Sequence, residues 1–181
     1  MRTFPLFLVL LVTLPLLAQS PNNEVALAFG QSRFTENAGD SSGEKTASLS
    51  YNRFWTSRIS TRFALVEYGV DFAIDLGGRS GVDISAKTLT VEYHFLRDET
   101  ISPHVGAGAA YAKTGVSGAH VGGSSDYELT GLVTAGADVN VSRSFAVGLD
   151  VTYMPYRPEL SNGNQPTLHP LTVAGAIKFR W

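Results

Sequence analysis

From residue 24 to the C-terminus, apolar side chains recur at every second position in one run after another. The last run is the cleanest. Leu171, Val173, Ile177, Phe179 and Trp181 alternate with Thr172, Ala174, Ala176, Lys178 and Arg180, and only Gly175 interrupts the apolar series. A period of two marks a strand with two unlike faces. The same rhythm predicts earlier strands over 24–34, 46–55, 59–72, 84–95, 101–113, 127–141 and 145–154. Near Leu65 and Val66 the apolar phase slips, which predicts a β-bulge there. Long polar segments over 35–45, 75–83, 114–126 and 155–166 alternate with short turns at 56–58, 96–100 and 142–144. No helical period of 3.6 appears in this region.

Eight strands with alternating long and short connections predict an up-and-down meander. The even strand count puts both termini at one end and all four long loops at the other. These strands are longer than the roughly five or six residues usual in soluble sheets. They supply the roughly 9–11 residues of a tilted membrane-crossing strand. Alternation alone does not separate a membrane barrel from a soluble one, but the polar-phase residues do. Over 145–154 that phase holds Ala146, Gly148, Asp150 and Thr152; over 101–113 it holds His104, Gly106, Gly108 and Ala110. A wet face would carry Lys, Glu and Arg in number, whereas these side chains suit a narrow interior. The opposite phase, Phe145, Val147, Leu149, Val151 and Tyr153, suits lipid. Aromatic residues sit near strand ends: Trp55, Phe95, Phe145, Phe179 and Trp181 by the short turns, Tyr127 and Tyr153 by the long loops. Two interfacial girdles would have this distribution. Arg53 falls on the lipid phase beside Trp55, within reach of headgroups. The predicted fold is all-β, an eight-stranded antiparallel up-and-down transmembrane β-barrel.

The two ends of the chain add targeting information. Arg2 precedes an apolar run over 4–17, and Ala18-Gln19-Ser20 offers a small-x-small cleavage pattern. Residues 1–20 are therefore expected to be a cleaved secretory signal peptide, cut after Ala18 or after Ser20, with 21–181 as the barrel domain. As a membrane anchor the run falls short of the roughly 18–20 residues a span needs. The chain has no cysteine, which excludes disulfides and thiolate chemistry. Loss of Arg2 takes its 14 basic residues to 13 against 16 acidic ones, a net charge of −3. No basic stripe suggests nucleic acid.

Several charged residues fall on the inward phase: Arg62, Glu92, Asp138, Asp150, Lys178 and Arg180. Folding each hairpin about its turn gives a map. Pivoting on Asp98 sets Glu92 opposite His104, pivoting on Ser57 sets Arg62 opposite Asn52, and pivoting on Arg143 sets Asp138 opposite Gly148. Lys178, one strand further on, is placed to lean over that glycine toward Asp138. Two readings are open. One is a salt-bridge network filling the lumen, because unpaired buried charges cost several kcal/mol. The other is a gate on a small-solute pathway. Catalysis has little support. His94, His104, His120 and His169 show no metal-ligand spacing, and no Gly-x-Ser-x-Gly elbow is present. Gly106-Ala107-Gly108 lies inside a strand and reads as close strand packing, not as a dinucleotide loop. No enzyme activity, cofactor or metal is expected.

The segment Leu89-Thr90-Val91-Glu92-Tyr93-His94-Phe95, followed by a short turn and Ser102-Pro103-His104-Val105-Gly106-Ala107-Gly108, resembles the central hairpin of the OmpW-like family. More broadly the chain resembles the outer-membrane barrel domain that also covers OmpA- and OmpX-like proteins. Ile177-Lys178-Phe179-Arg180-Trp181 is similar to the terminal strand signal read by the outer-membrane insertion machinery, with Phe179 and Trp181 as its aromatic positions. The resemblance implies a bacterial outer-membrane location, periplasmic termini, extracellular long loops, lipid as the main neighbour and a monomeric barrel. The OmpW-like likeness also implies passage of small hydrophobic molecules, whereas the lumen predicted here is Gly, Ala and Thr with several charges. The expected function is a small passive porin-like channel or a structural membrane protein. The alternative is an adhesin-like surface-binding protein whose loops do the binding while the barrel anchors it.

Overall fold

The computed structural model describes residues 22–35, 44–74, 78–117, 127–157 and 169–181. The predicted leader, His120 and most of the predicted long loops lie outside these residues. Eight strands follow in order: β1 (Asn23–Thr35), β2 (Glu44–Phe54), β3 (Ile59–Ile74), β4 (Gly78–His94), β5 (Ile101–Ser117), β6 (Tyr127–Asn140), β7 (Phe145–Tyr153) and β8 (His169–Arg180). Each pairs antiparallel with its neighbours in sequence, and β1 pairs with β8 to close the barrel. At the seam the Asn23 and Trp181 backbones exchange two N–H···O bonds of 3.1 Å. Asn23, Trp181 and the three short turns lie at one end of the barrel, called here the turn end; the opposite end is the loop end. β3 and β4 run closer to each other's tips than the sequence predicts, so the expected 75–83 connection contracts to 75–77.

Bulky apolar side chains point outward. Leu149 is 55% exposed while its neighbour Asp150 is 8% exposed. Leu27, Leu49, Phe63, Leu89, Val91, Val133, Val173 and Ile177 join it on the outer surface. Inward go Ala26, Ala28, Ala64, Ala110, Thr88, Thr90, Thr134 and Ala176, all buried. Eight strands enclose too little space for larger side chains on every rung. An outer surface this apolar is incompatible with water, and a closed barrel satisfies every strand hydrogen bond without an edge, as hydrocarbon demands. The aromatic positions match interfaces. Phe179 and Trp181 stack at 6.0 Å by the turn end, and Tyr153 stacks with His169 at 5.9 Å by the loop end. Arg53 donates to Asn23 Oδ1 at 2.6 Å and lies 5.9 Å from the Trp55 ring.

The bulge expected near Leu65 and Val66 is absent. The register of β3 is unbroken, from Phe54↔Ser60 to Thr46↔Tyr68 against β2 and from Ile59↔Tyr93 to Ile74↔Gly78 against β4. What changes at this point is the surroundings. Below it, Phe63 and Leu65 face out while Arg62 and Ala64 face in. Above it, Glu67 faces out while Val66 and Tyr68 face in. β4 does the same: Leu89 and Val91 face out near the turn end, then Lys87 and Ser85 face out while Ala86 and Ile84 are buried. The apolar phase switches face while the backbone continues. Tyr68, Ile84, Ala86, Ala110, Ala112, Leu132, Met154 and Tyr156 form a buried apolar cluster inside the loop end. Met154 and Tyr156, which follow β7, fold into the barrel rather than away from it.

Placing a cation at the middle of the lipid-facing surface tests this orientation. Leu149→Arg is expected to destabilise the barrel by about 2–4 kcal/mol in bilayers. Gln31→Arg, outward but near the loop end, is expected to cost about 0–1 kcal/mol. Urea titration of refolded protein in liposomes reads both; equal costs would mean that Leu149 does not meet hydrocarbon.

Candidate functional site

All eight strands send a polar side chain to one level of the lumen near the turn end. They are Glu24 from β1, Asn52 from β2, Arg62 from β3, Glu92 from β4, His104 from β5, Asp138 from β6, Asp150 from β7, and Lys178 with Arg180 from β8. All are buried except Arg62, whose side chain is 12% exposed. Inward parity on each strand places them there, and small residues make the room. A Cβ at Gly148 would strike Asp138 Oδ1 and sit 2.9 Å from Lys178 Cε. A Cβ at Gly136 would strike Asp150 Oδ1 and sit 2.7 Å from His104 Nε2.

The charges alternate in sign along one continuous chain. Glu24 Oε2 meets Arg180 Nε at 2.5 Å, and Arg180 Nη2 meets Asp138 Oδ2 at 2.9 Å. Lys178 Nζ lies 2.6 Å from Asp138 Oδ1 and 3.7 Å from Asp150 Oδ2. Arg62 then bridges Asp150 (Nη1–Oδ2, 3.2 Å) and Glu92 (Nε–Oε1, 3.0 Å). Neutral and titratable groups flank the chain. Asn52 Nδ2 donates to Glu92 Oε2 at 3.2 Å, and Arg180 Nη1 donates to Asn140 Oδ1. His104 Nε2 meets Asp150 Oδ1 at 2.8 Å. Removing any of these groups from water is costly, and each is compensated only because its neighbours carry the opposite sign. Sign alternation, rather than any one pair, makes the arrangement tenable.

Two histidines stack beside the chain. His94 and His104 face each other across β4 and β5, with ring centroids 5.2 Å apart. This corrects the expected register, in which Glu92 opposes His104. The turn runs over 95–100 and pivots on Glu99, so Glu92 opposes Gly106. The error is two residues, which leaves every side chain on its predicted face. His94 Nε2 lies 3.1 Å from Ser60 Oγ and 3.6 Å from Glu92 Oε2. Both partners address the same ring nitrogen. A nucleophile and an orienting acid need opposite nitrogens to relay a proton, so this trio is not arranged as a catalytic triad. Asp138, Asp150 and His104 bring ligand atoms within 4.8 Å of one another, the spacing of a metal centre. Lys178 Nζ already lies against both carboxylates, so the cation that serves this position is an ammonium.

The chain separates two spaces. On the loop-end side is a small chamber of about 70 Å³, room for a few waters. Its wall includes Arg62, Asp150, Thr88, Thr134 and Thr172, and it is roofed by Tyr68, Leu132 and Met154. On the turn-end side is a mouth of about 230 Å³ bounded by Arg97, Asp98, Glu99, Asn140, Arg143 and Arg180. Arg97 in this mouth lies 3.6 Å over the Phe54 ring, and its burial lowers its pKa from the usual guanidinium value. Arg180 belongs to the mouth and Arg62 to the chamber; the ions between them fill the passage.

Arg62, Glu92, His104, Asp138, Asp150, Lys178 and Arg180, singled out from sequence, all lie in this cluster. The pairings Asn52↔Arg62 and Asp138↔Gly148 are the ones expected, and Lys178 does reach over Gly148. Glu24, Ser60 and His94 were missed as members. Parity carried the signal for each: Glu24 shares a phase with Ala26 and Ala28, and His94 with Glu92.

A double-mutant cycle measures the central contact. Lys178→Met is expected to cost about 3–5 kcal/mol, because it leaves two buried carboxylates short of a cation. Combining it with Asp138→Leu should recover part of that loss, with a coupling of roughly 1–3 kcal/mol. Urea unfolding in detergent reads the cycle; additive costs would show that the contact contributes nothing specific.

Neither protein-family models nor curated proteins match this chain. Solved structures do. Neisserial surface protein A matches with a TM-score of 0.72 at 11% identity, over 88% of this chain and 97% of that one. The outer-membrane protein OprG of Pseudomonas aeruginosa matches at 0.67 and 10% identity, over 90% and 97%. The attachment invasion locus protein Ail of Yersinia pestis matches at 0.60 and 14% identity, over 89% and 100%. These likenesses support the general small-barrel resemblance and do not single out OmpW-like proteins. The chain has the fold of the small eight-stranded barrels of bacterial outer membranes.

Proposed function

We propose that this protein is a structural outer-membrane barrel whose lumen is sealed at rest by its own ion-pair chain. The observation that carries the reading is the placement of Lys178 between Asp138 and Asp150, with Arg62 reaching Asp150 from the far wall. Together these side chains occupy the passage between the mouth and the chamber. The apolar cluster roofs the chamber from the other side. Two barriers of opposite character in series favour a closed barrel over an open passive pore. Conduction, in this reading, requires the ion pairs to exchange partners.

The orientation follows the outer-membrane pattern, with tight turns and termini in the periplasm and long loops outside. Phe179 and Trp181 on the closing strand serve as the signal for the insertion machinery, and the barrel works as a monomer in lipid, without catalytic chemistry. The adhesin-like alternative depends on loops outside the described residues.

Conductance of refolded protein in planar bilayers tests the seal. The unaltered protein should stay closed at moderate voltage. Arg62→Ser combined with Lys178→Ser should produce discrete open steps, provided heat-modifiable gel migration shows that the variant is folded. A steady ohmic current through the unaltered protein would overturn the proposal.

A further inference from the structure

Two buried ring nitrogens take no part in the ion-pair chain. His94 and His104 are each 1% exposed. Both turn Nε2 toward the chain. His104 Nε2 meets Asp150 Oδ1 at 2.8 Å, and His94 Nε2 meets Ser60 Oγ at 3.1 Å with Glu92 Oε2 at 3.6 Å. Among the described residues neither Nδ1 has a hydrogen-bond partner. An ionised carboxylate only accepts, so it holds the imidazole proton on Nε2 and leaves the lone pair on Nδ1. Buried polar atoms are normally paired, and an orphan is costly. Here two orphans of the same kind lie on adjacent rings.

The ladder presents these rings as a pair, which spacing along the chain does not. His94 and His104 are cross-strand partners on β4 and β5. The hydrogen-bonded step is the neighbouring one, Phe95 N to Pro103 O at 2.9 Å. The histidines therefore occupy a non-hydrogen-bonded position, where facing side chains are closest. A zinc-like ion bonds a histidine nitrogen at about 2.0–2.1 Å, roughly 3.2 Å from the ring centre. For two rings aimed at one such ion, the observed 5.2 Å between centroids corresponds to a nearly tetrahedral angle. A carboxylate on one imidazole nitrogen and a metal on the other is a common arrangement, and both rings already have the acid. Ser102 Oγ, fully buried and without a partner, is the next inward position of β5 and offers an oxygen ligand. Arg62 and Lys178 are engaged with Glu92, Asp138 and Asp150. Entry is from the turn-end mouth, where Asp98 and Glu99 offset Arg97 on the rim, past the Phe54 ring, whose centroid lies 5.0 Å from that of His94.

We propose that Nδ1 of His94 and Nδ1 of His104 bind one borderline divalent cation of the zinc or copper class inside the turn end, bridging β4 and β5. This position is distinct from the Asp138, Asp150 and His104 group that Lys178 serves, because it uses the opposite nitrogen of His104. It does not depend on whether the lumen is sealed; conductance tests the seal, and ion binding tests the site.

The test uses the full barrel, refolded without an affinity tag in detergent micelles, with isotopically labelled histidine and added Zn²⁺. In nuclear magnetic resonance spectra one equivalent should shift Nδ1 of two histidines while their Nε2 stays protonated. This readout needs no substitution. His94→Phe and His104→Phe should each weaken Zn²⁺ binding by more than about tenfold, since even the outer partners of a metal ligand are worth that much. Competition with a fluorescent chelator measures the change, and heat-modifiable gel migration checks that each variant is folded. His169→Gln should bind as the unaltered protein does. Zn²⁺ that leaves every Nδ1 unshifted would overturn the proposal and leave the pair to water. Coordination through Nε2 would overturn it too. So would unchanged affinity in both phenylalanine variants, which would place the ion on His120 or His169.

Discussion

A strand in hydrocarbon has nowhere to place an unpaired N–H or C=O, so the sheet must close, and closure dictates the rest. The closing contact joins the first strand to the last: Asn23 and Trp181 exchange backbone bonds at its end, and Glu24 opposes Arg180 one step inward. That second pair is also the first link of the lumen chain. The seam that makes the barrel and the ions that fill it are therefore one structure. A chain that fails to pair β1 with β8 leaves both a sheet edge and a buried glutamate unsatisfied, which gives the closed state a double advantage over an open sheet.

Closure also limits what can sit inside. With eight strands, each rung of the interior holds few side chains, and a large one on one strand requires a small one nearby. Gly136 and Gly148 are the clearest examples, each vacating space for an ion pair between its neighbours. Charge fills the turn-end half because long side chains from β3 and β8 can cross the lumen there and meet acids from β4, β6 and β7. The loop-end half is filled by Tyr68, Ile84 and Met154 instead. Polar contacts need directional partners; apolar packing needs only volume. The charged half therefore specifies which strands face one another, and the apolar half completes the filling.

Parity made most of this legible in the sequence. The period of two assigned Asp150 inward and Leu149 outward, and tight turns at 55–58 and 141–144 pinned Asn52 to Arg62 and Asp138 to Gly148. The six-residue turn over 95–100 did not pin its hairpin, because a longer turn has no single pivot. Hence His94, not Glu92, opposes His104. The short reach of Lys178 over Gly148 to Asp138 was legible as well, but links across the lumen, such as Arg62 on β3 to Asp150 on β7, were not. They depend on how far a side chain reaches across a closed cylinder, and no spacing along the chain records that distance.

The phase slip at Leu65 and Val66 has a different origin and carries more information than a bulge would. A bulge changes the backbone; here the backbone is regular and the solvent changes. Toward the turn end, β3 and β4 face hydrocarbon outside and ions inside, so apolar residues point out. Beyond Leu65 and Leu89 they face a polar medium outside and the Tyr68–Ile84 cluster inside, so apolar residues point in, as in a soluble sheet. The point where the pattern inverts marks the height at which hydrocarbon gives way to headgroups on these two strands. Glu67, Ser85 and Lys87 all fall at or just past it. On β7 no inversion occurs before Tyr153, so the apolar wall on that side reaches the end of the strand. The boundary is thus written into the order of residues: where alternation holds its phase, the wall is greasy, and where it flips without a break in register, the chain has left the oil.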